Sequence, residues 1–315
     1  QVFALACWVT QPVQAQGFPS KPLRMIVPSA PGGGLDIVAR HVAQHLSPRL
    51  GQPIVIEYRA GAAQKLGTQA MLRAKPDGYT LLFTASTPIT IAENFAPKPA
   101  YDARKDISGL AIIARNPGIF VTNAQVKAKT MAEFVALAKS QPGALNFGSP
   151  GTGHVFHLIT EMFAQQEGIK MTHIPFKGSS PAIVALLAGQ LQFLIQSAEA
   201  VRSQLRAGKL RALATLEPTR LANLPDVPTM KEAGMHDINL TIWYGILSSS
   251  KVPNDVQAVL ERGLMEVAQN AEFTDRLKQM NYVPVAEGRK EFAARLANEF
   301  EVWPALVKSI GLSIR

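Results

Sequence analysis

Cysteine is all but missing from this chain. Cys7 is the one thiol in 315 residues, so neither an intrachain disulfide nor a cysteine metal cluster can form. Long apolar runs are missing too: no stretch reaches the ~18 consecutive apolar residues that a membrane span needs. Aromatic residues make up 7% of the sequence. The net charge is +9, yet Lys and Arg are scattered singly, as at Arg202, Arg206, Lys209 and Arg211. Without a long basic run or interleaved aromatics, a nucleic-acid footprint is excluded. The familiar catalytic signatures are absent as well. No Gly-Lys-Ser/Thr follows the first glycine-rich turn, and no GxGxxG or GxSxG occurs. His41 and His45 stand four apart, but Val42 occupies the place where a zinc protease needs Glu. They read as a solvated helix face. His154 and His157 have no third ligand nearby in sequence, and paired carboxylates are not evident. No metal and no cofactor is expected.

What is present is a long run of alternating strands and helices. Hydrophobic residues make up 47% of the sequence, ample for two cores. The first 16 residues carry no charge and read as the remnant of a signal peptide, with Val13 and Ala15 at −3 and −1 before Gln16. After Gly17, strands are expected at 23–28, 54–59 and 81–85, with helices at 37–50 and 68–74 between them. That βαβαβ order implies a parallel sheet. A second unit begins near Ile119. It alternates strands at 119–123, 145–149, 171–176, 192–196 and 210–216 with a helix at 130–140, one that grows out of the turn at 149–158 and runs to about 166, a turn and helix at 177–189, and a helix at 198–207. Thr130 and Glu133 form the capping box of its first helix. An extended segment at 238–249 leads back toward the first unit. Helices at 254–269, 271–280 and 289–310 follow, around a short strand at 283–286, with a kink expected at Pro304. The fold class is α/β, with two Rossmann-like units joined where the chain crosses twice. Small ligands favour such clefts.

Two glycine-rich turns carry the functional argument. SAPGGGLD (29–36) follows a strand and opens a helix. Its free backbone N–H groups and the positive end of the helix make an anion site without a charged side chain. SPGTGHVFHL (149–158) has the same placement. A third turn, IPFKGSSPA (174–182), offers Lys177 as a cation, or a surface lysine beside a turn.

The segments PSAPGGGLDIVAR (28–40), KPDGYTLLFT (75–84), LNFGSPGTGHVFHL (145–158), IPFKGSSPA, LPDVPTMKEAG (224–234) and WYGILSSSKVP (243–253) stand in the order of the Bug family, which the chain resembles from about Phe18 to its C-terminus. These are the solute receptors of tripartite tricarboxylate transporters. The resemblance implies a periplasmic-binding-protein architecture of type II kind. Residues 17–118 and 239–315 would form one domain and 119–238 the other. It implies a periplasmic, monomeric receptor that is not an enzyme and hands a small organic carboxylate to membrane permease subunits. Carried over from the family, the ligand site comprises Ala30, Gly32, Gly33, Gly34 and Asp36 in the first turn and Ser149, Gly151, Thr152 and Gly153 in the second, with Thr84, Ala85 and Ser86 after the third strand lining the same cleft. Beside these, this sequence's own residues Ser29, Leu35, His154, Phe156, Lys177 and Gln196 are expected at the site. Leu35, His154, Phe156 and Gln196 depart from the family pattern, which has small polar or acidic residues there. These departures remove partners for an ammonium group and point to an aromatic mono- or dicarboxylate. A buried, core-facing His154 and Phe156 is the alternative. Rival functions on the same frame are a ligand-sensing module and a cleft enzyme built on His154.

Overall fold

The computed structural model describes residues 17–29, 31–32, 34–61, 64–91, 101–176, 178–236, 238 and 241–311. The signal remnant at 1–16 and three expected site residues, Ala30, Gly33 and Lys177, lie outside them. In the first unit, β1 (Leu23–Val27), α1 (Gly34–Leu50), β2 (Ile54–Tyr58), α2 (Lys65–Arg73) and β3 (Thr80–Ala85) alternate as expected. β1 pairs parallel with both β2 and β3. It is buried on both faces and is therefore apolar nearly throughout.

The expected parallel sheet holds for that half only. A π-helical turn (Thr87–Ile91) and a short helix α3 (Ala103–Asp106) lead into β4 (Ile107–Asn116), ten residues with no counterpart in the sequence reading. β10 (Ile242–Ser249) inserts between β3 and β4, antiparallel to both, and β11 (Val283–Glu287) adds antiparallel to β4. The six-stranded order is β11-β4-β10-β3-β1-β2. All eight residues of β10 are buried, because it is central and covered on both faces.

The second sheet holds β5 (Gly118–Asn123), β6 (Asn146–Ser149), β7 (Thr172–Pro175), β8 (Phe193–Ser197) and β9 (Leu210–Thr215), in the order β7-β6-β8-β5-β9. Its helices are α4 (Met131–Ser140), α5 (Val155–Glu167), α6 (Ser179–Leu187) and α7 (Ala198–Arg206). The cap of α4 forms: Thr130 Oγ1 accepts the Glu133 N–H at 3.1 Å. The Glu133 carboxylate reaches the Lys129 N–H rather than that of Thr130.

The chain passes between the sheets twice. β4 ends at Asn116 and β5 begins at Gly118, so Pro117 alone separates the two sheets there. The return runs from Thr215 to Ile242, and Ile242 pairs with Asn116. α8 (Asn254–Ala268), α9 (Ala271–Gln279) and α10 (Arg289–Ser309) complete the first unit. α10 continues through Pro304, and its end reaches the second unit, where Ser309 Oγ donates to Gln165 Oε1 at 3.2 Å. The solvated face expected for His41 and His45 is instead an interface. α9 covers it: the His41 ring stacks on Phe273 with centroids 4.6 Å apart, and His45 is buried.

Candidate functional site

The pairing register decides where the glycine-rich turns point. Gly118, at the start of β5, lies opposite Ser197 at the end of β8. Asn116, at the end of β4, lies opposite Ile242 at the start of β10, and Tyr244 opposite Ala85 at the end of β3. The carboxyl ends of the parallel strands in both sheets therefore meet at the Pro117 crossing. Turns leaving those ends face the space between the sheets, the usual ligand position in open α/β folds.

The first turn is braced by Asp36. Its Oδ2 accepts the Gly32 N–H at 2.7 Å, and its Oδ1 accepts Arg40 Nε at 2.9 Å and the Tyr58 hydroxyl at 2.6 Å. Burial raises the Asp36 carboxyl, but these three donors and the Arg40 charge outweigh it and hold it below the ordinary value. Asp36 thus stays ionised as the clamp of the turn, with both oxygens engaged. Gly32 adopts φ +87°, open to glycine at little cost. Leu35 is buried in the hydrophobic core. Gly34 is required for another reason: a Cβ there would collide with the Tyr282 hydroxyl and lie 3.9 Å from that of Tyr244.

After β3, Thr84 Oγ1 approaches Gln64 Oε1 at 3.4 Å, and the Ser86 N–H donates to the Trp243 carbonyl. Thr84 and Ser86 are both buried. Ser86 Oγ has no hydrogen-bond partner among the described residues, and the same holds for Ser29 Oγ after β1, Thr241 Oγ1 before β10 and Gln196 Nε2 in β8. An unpaired buried polar group costs about 1–3 kcal/mol. These four unpartnered atoms lie at or near the strand ends that meet at the crossing.

The second turn is built on imidazoles. Ser149 Oγ lies 2.7 Å from His173 Nε2, and the Gly151 N–H donates back to it at 3.2 Å. The Gly153 N–H donates to His157 Nδ1 at 3.1 Å, and His154 Nδ1 accepts the Phe156 N–H as the cap of α5. His157 and His173 stack with centroids 3.7 Å apart, against Phe147. Burial, reinforced by His157, pushes His154 and His173 down to about 4, so both are neutral near pH 7. Gly151 and Gly153 hold φ values of +152° and +78°. Thr152 is exposed, His154 is partly buried, and Phe156 is 4% exposed. The Phe156 ring packs toward Gly118 at the crossing, so it belongs to the core.

The expected residues therefore form two groups on either side of the crossing, with Gln196 between them opposite Ile119. Among the described residues no hydrogen bond joins one turn to the other. Sequence reasoning missed Tyr58, Gln64, Asn116, His173, Tyr244 and Tyr282. Tyr244 sat in the quoted segment WYGILSSSKVP, and Tyr282 lies just ahead of the expected strand at 283–286. Neither carries a local signal, because both reach the first turn only through packing of β10 and β11.

Residues 38–312 match the model of the tripartite tricarboxylate transporter family receptor. This chain belongs to that family. Protein BugT of Bordetella pertussis is 32% identical over 315 residues, covering 100% of this chain and 97% of that protein. Two solved structures carry ligands in their names. R. palustris Rpa4515 with adipate is 25% identical, covers 94% of this chain and 99% of its own, and superposes with a TM-score of 0.79. MatC from Rhodopseudomonas palustris with bound malate is 28% identical, with coverages of 92% and 100% and a TM-score of 0.74. Family members are receptors, not enzymes. No helix among the described residues is long and apolar enough to cross a membrane.

Proposed function

We propose that this receptor works in the periplasm, takes up a small organic carboxylate between its two sheets and delivers it to the permease subunits of a tripartite tricarboxylate transporter. The observation that carries the reading is the set of unpartnered buried polar atoms at Ser29, Ser86, Gln196 and Thr241, gathered at the edge where both glycine-rich turns begin. Backbone N–H groups at the start of α1 add the attraction for an anion. The adipate and malate complexes of related receptors support the ligand class.

In this reading the boundaries follow the crossings: 17–118 and 239–315 form one domain, 119–238 the other, and the end of α10 straps the first to α5. The ligand body is aromatic. The support is the ring density beside the turns: His154 with Phe156, at 5.2 Å between centroids, and Tyr244 with Tyr282, at 5.5 Å. Phe156 is a core residue, so the ring expected to meet the ligand on that side is His154. Beside the second turn, the neutral imidazole and the Gln196 amide offer no anionic partner for an ammonium group.

The test is a thermal-shift screen and calorimetry over adipate, malate, benzoate and terephthalate. A ligand at 100 times its Kd stabilises by about 2.7 kcal/mol. Tighter binding of the aromatic acids supports the full reading. Preference for adipate or malate removes the aromatic part and keeps the carboxylate. No response to any of the four removes both.

A further inference from the structure

Two tyrosine hydroxyls stand over the first residue of α1. The collision that a Cβ on Gly34 would meet is with Tyr282 Oη, and Tyr244 Oη lies 3.9 Å from the same point. The two side chains come from different strands of the antiparallel half, β10 and the lead-in to β11, and their rings meet at 5.5 Å. Both are buried, with relative exposures of 7% and 5%. Phe83 holds Tyr244 from the other side, with an edge-to-face contact at 6.2 Å.

Burial, the larger effect, pushes the Tyr244 hydroxyl up, although Tyr282 and the Asn116 side chain pull it down. Burial raises both hydroxyls above the ordinary tyrosine value, so they remain protonated donors at any physiological pH.

We infer that Tyr244 is a ligand-binding residue that donates its hydroxyl proton to the carboxylate seated at the start of α1, and that Tyr282, in ring contact with it and with its own hydroxyl over Gly34, is a positioning residue that aims it. This rests on the carboxylate reading above and names the side-chain donor that reading lacks. The physical advantage is a strong donor with no charge. A lysine or arginine here would need its own counter-ion in the unliganded protein, whereas a neutral hydroxyl needs none and gives a charge-assisted bond when an anion accepts. Gly34 is glycine so that the hydroxyls can approach the helix start.

Glu199 sharpens the geometry. It lies in the first turn of α7, which is pinned to the crossing by the Ala198 N–H donating to the Pro117 carbonyl at 3.1 Å. Its charge acts on both tyrosines. It is exposed and has no ion-pair partner among the described residues. The Glu199 charge therefore repels an anion near the tyrosines, more so one that carries a second carboxylate.

The experiment is calorimetric titration of wild type, Tyr244→Phe and Tyr282→Phe with adipate, malate, benzoate and terephthalate, using for each variant the acid that wild type binds most tightly. Phenylalanine keeps both rings, and melting of the unliganded variants checks that they fold. A hydrogen bond to a charged group predicts that Tyr244→Phe weakens binding roughly tenfold or more. Tyr282→Phe should weaken it less, and the double variant should lose less than the sum of the two. The corresponding neutral amide, titrated alongside, should respond weakly to either change, which a merely structural role would not produce. If wild type binds an acid and Tyr244→Phe binds it equally well, the inference falls while the carboxylate reading stands. If Tyr244→Phe weakens acid and amide alike, the donor role also falls. If wild type binds none of the acids, both fall together.

Discussion

Acidification from pH 7.5 to 5 sets two imidazoles against one carboxylic acid, and removing the acid should unmask the imidazoles. His154 and His173 are held at about 4 by burial and by the neighbouring His157. An unfolded histidine titrates near 6.5. Between the two values the unfolded chain takes up protons that the folded chain refuses, so stability falls with pH and levels off below 4. At pH 5 each ring costs about 2 kcal/mol relative to pH 7.5. Glu299 acts in the opposite sense. Burial among Trp243, Thr90 and α10 lifts it from 4.5 to about 7, although its bonds to Thr90 and Trp243 and the charge of Arg295 oppose the shift. Its folded value lies above its unfolded one, so the stability it lends is complete below 4.5 and is lost as pH rises through 7. Moving from pH 7.5 to 5 therefore restores about 2 kcal/mol. Wild type should lose a net of about 2 kcal/mol over this interval, and Glu299→Gln, which cannot titrate, about 4 kcal/mol. Urea unfolding at pH 7.5, 6 and 5 reads both, provided the slope with denaturant stays constant. Parallel curves for wild type and Glu299→Gln would refute the reasoning about Glu299. A flat curve for Glu299→Gln would refute that about the histidines.

Three further outcomes follow from the site. Gly34→Ala should lose carboxylate binding in calorimetry while melting within a few degrees of wild type, because the collision displaces Tyr282 more than it disturbs α1; a shift of roughly 4–8 °C per kcal/mol in small domains, and less in larger ones, sets the scale. Gln196→Leu should weaken ligand binding in the same titration, since it removes the unpaired Nε2 donor, and should change the unliganded melting temperature little, because the Ser197 N–H loses its Oε1 acceptor at the same time. Glu199→Gln should strengthen binding of a dicarboxylate about threefold at low salt and leave a monocarboxylate nearly unchanged, an effect that 0.5 M salt should erase.

The alternation of strands and helices was open to reading because it is local. Apolar spacing, the Thr130 cap and the glycine-rich turns each depend on a few neighbouring residues, and nearly every element begins within three residues of its expected start. β4 was not legible. Its central residues, Gly109–Ala114, are all buried, so it shows no alternation, and only Pro117 separates it from β5. The antiparallel entry of β10 was equally hidden, because pairing Ile242 with Asn116 joins residues 126 apart and leaves no mark on either segment alone.

The candidate site divides along the same line. By itself the sequence determined the two glycine-rich turns, since glycine at a strand-to-helix junction is a local signal; their surroundings decide which N–H groups stay free, and those of Gly32, Gly151 and Gly153 are taken by Asp36, Ser149 and His157. Only the tertiary structure decided what stands beside those turns. The brace of Asp36 by Tyr58 needs β2 alongside α1. The imidazole stack needs β7 under the second turn. The hydroxyl pair over Gly34 needs three strands from the two ends of the chain. Side-chain partners brought from such separations are set by packing in three dimensions, which no short window of residues encodes.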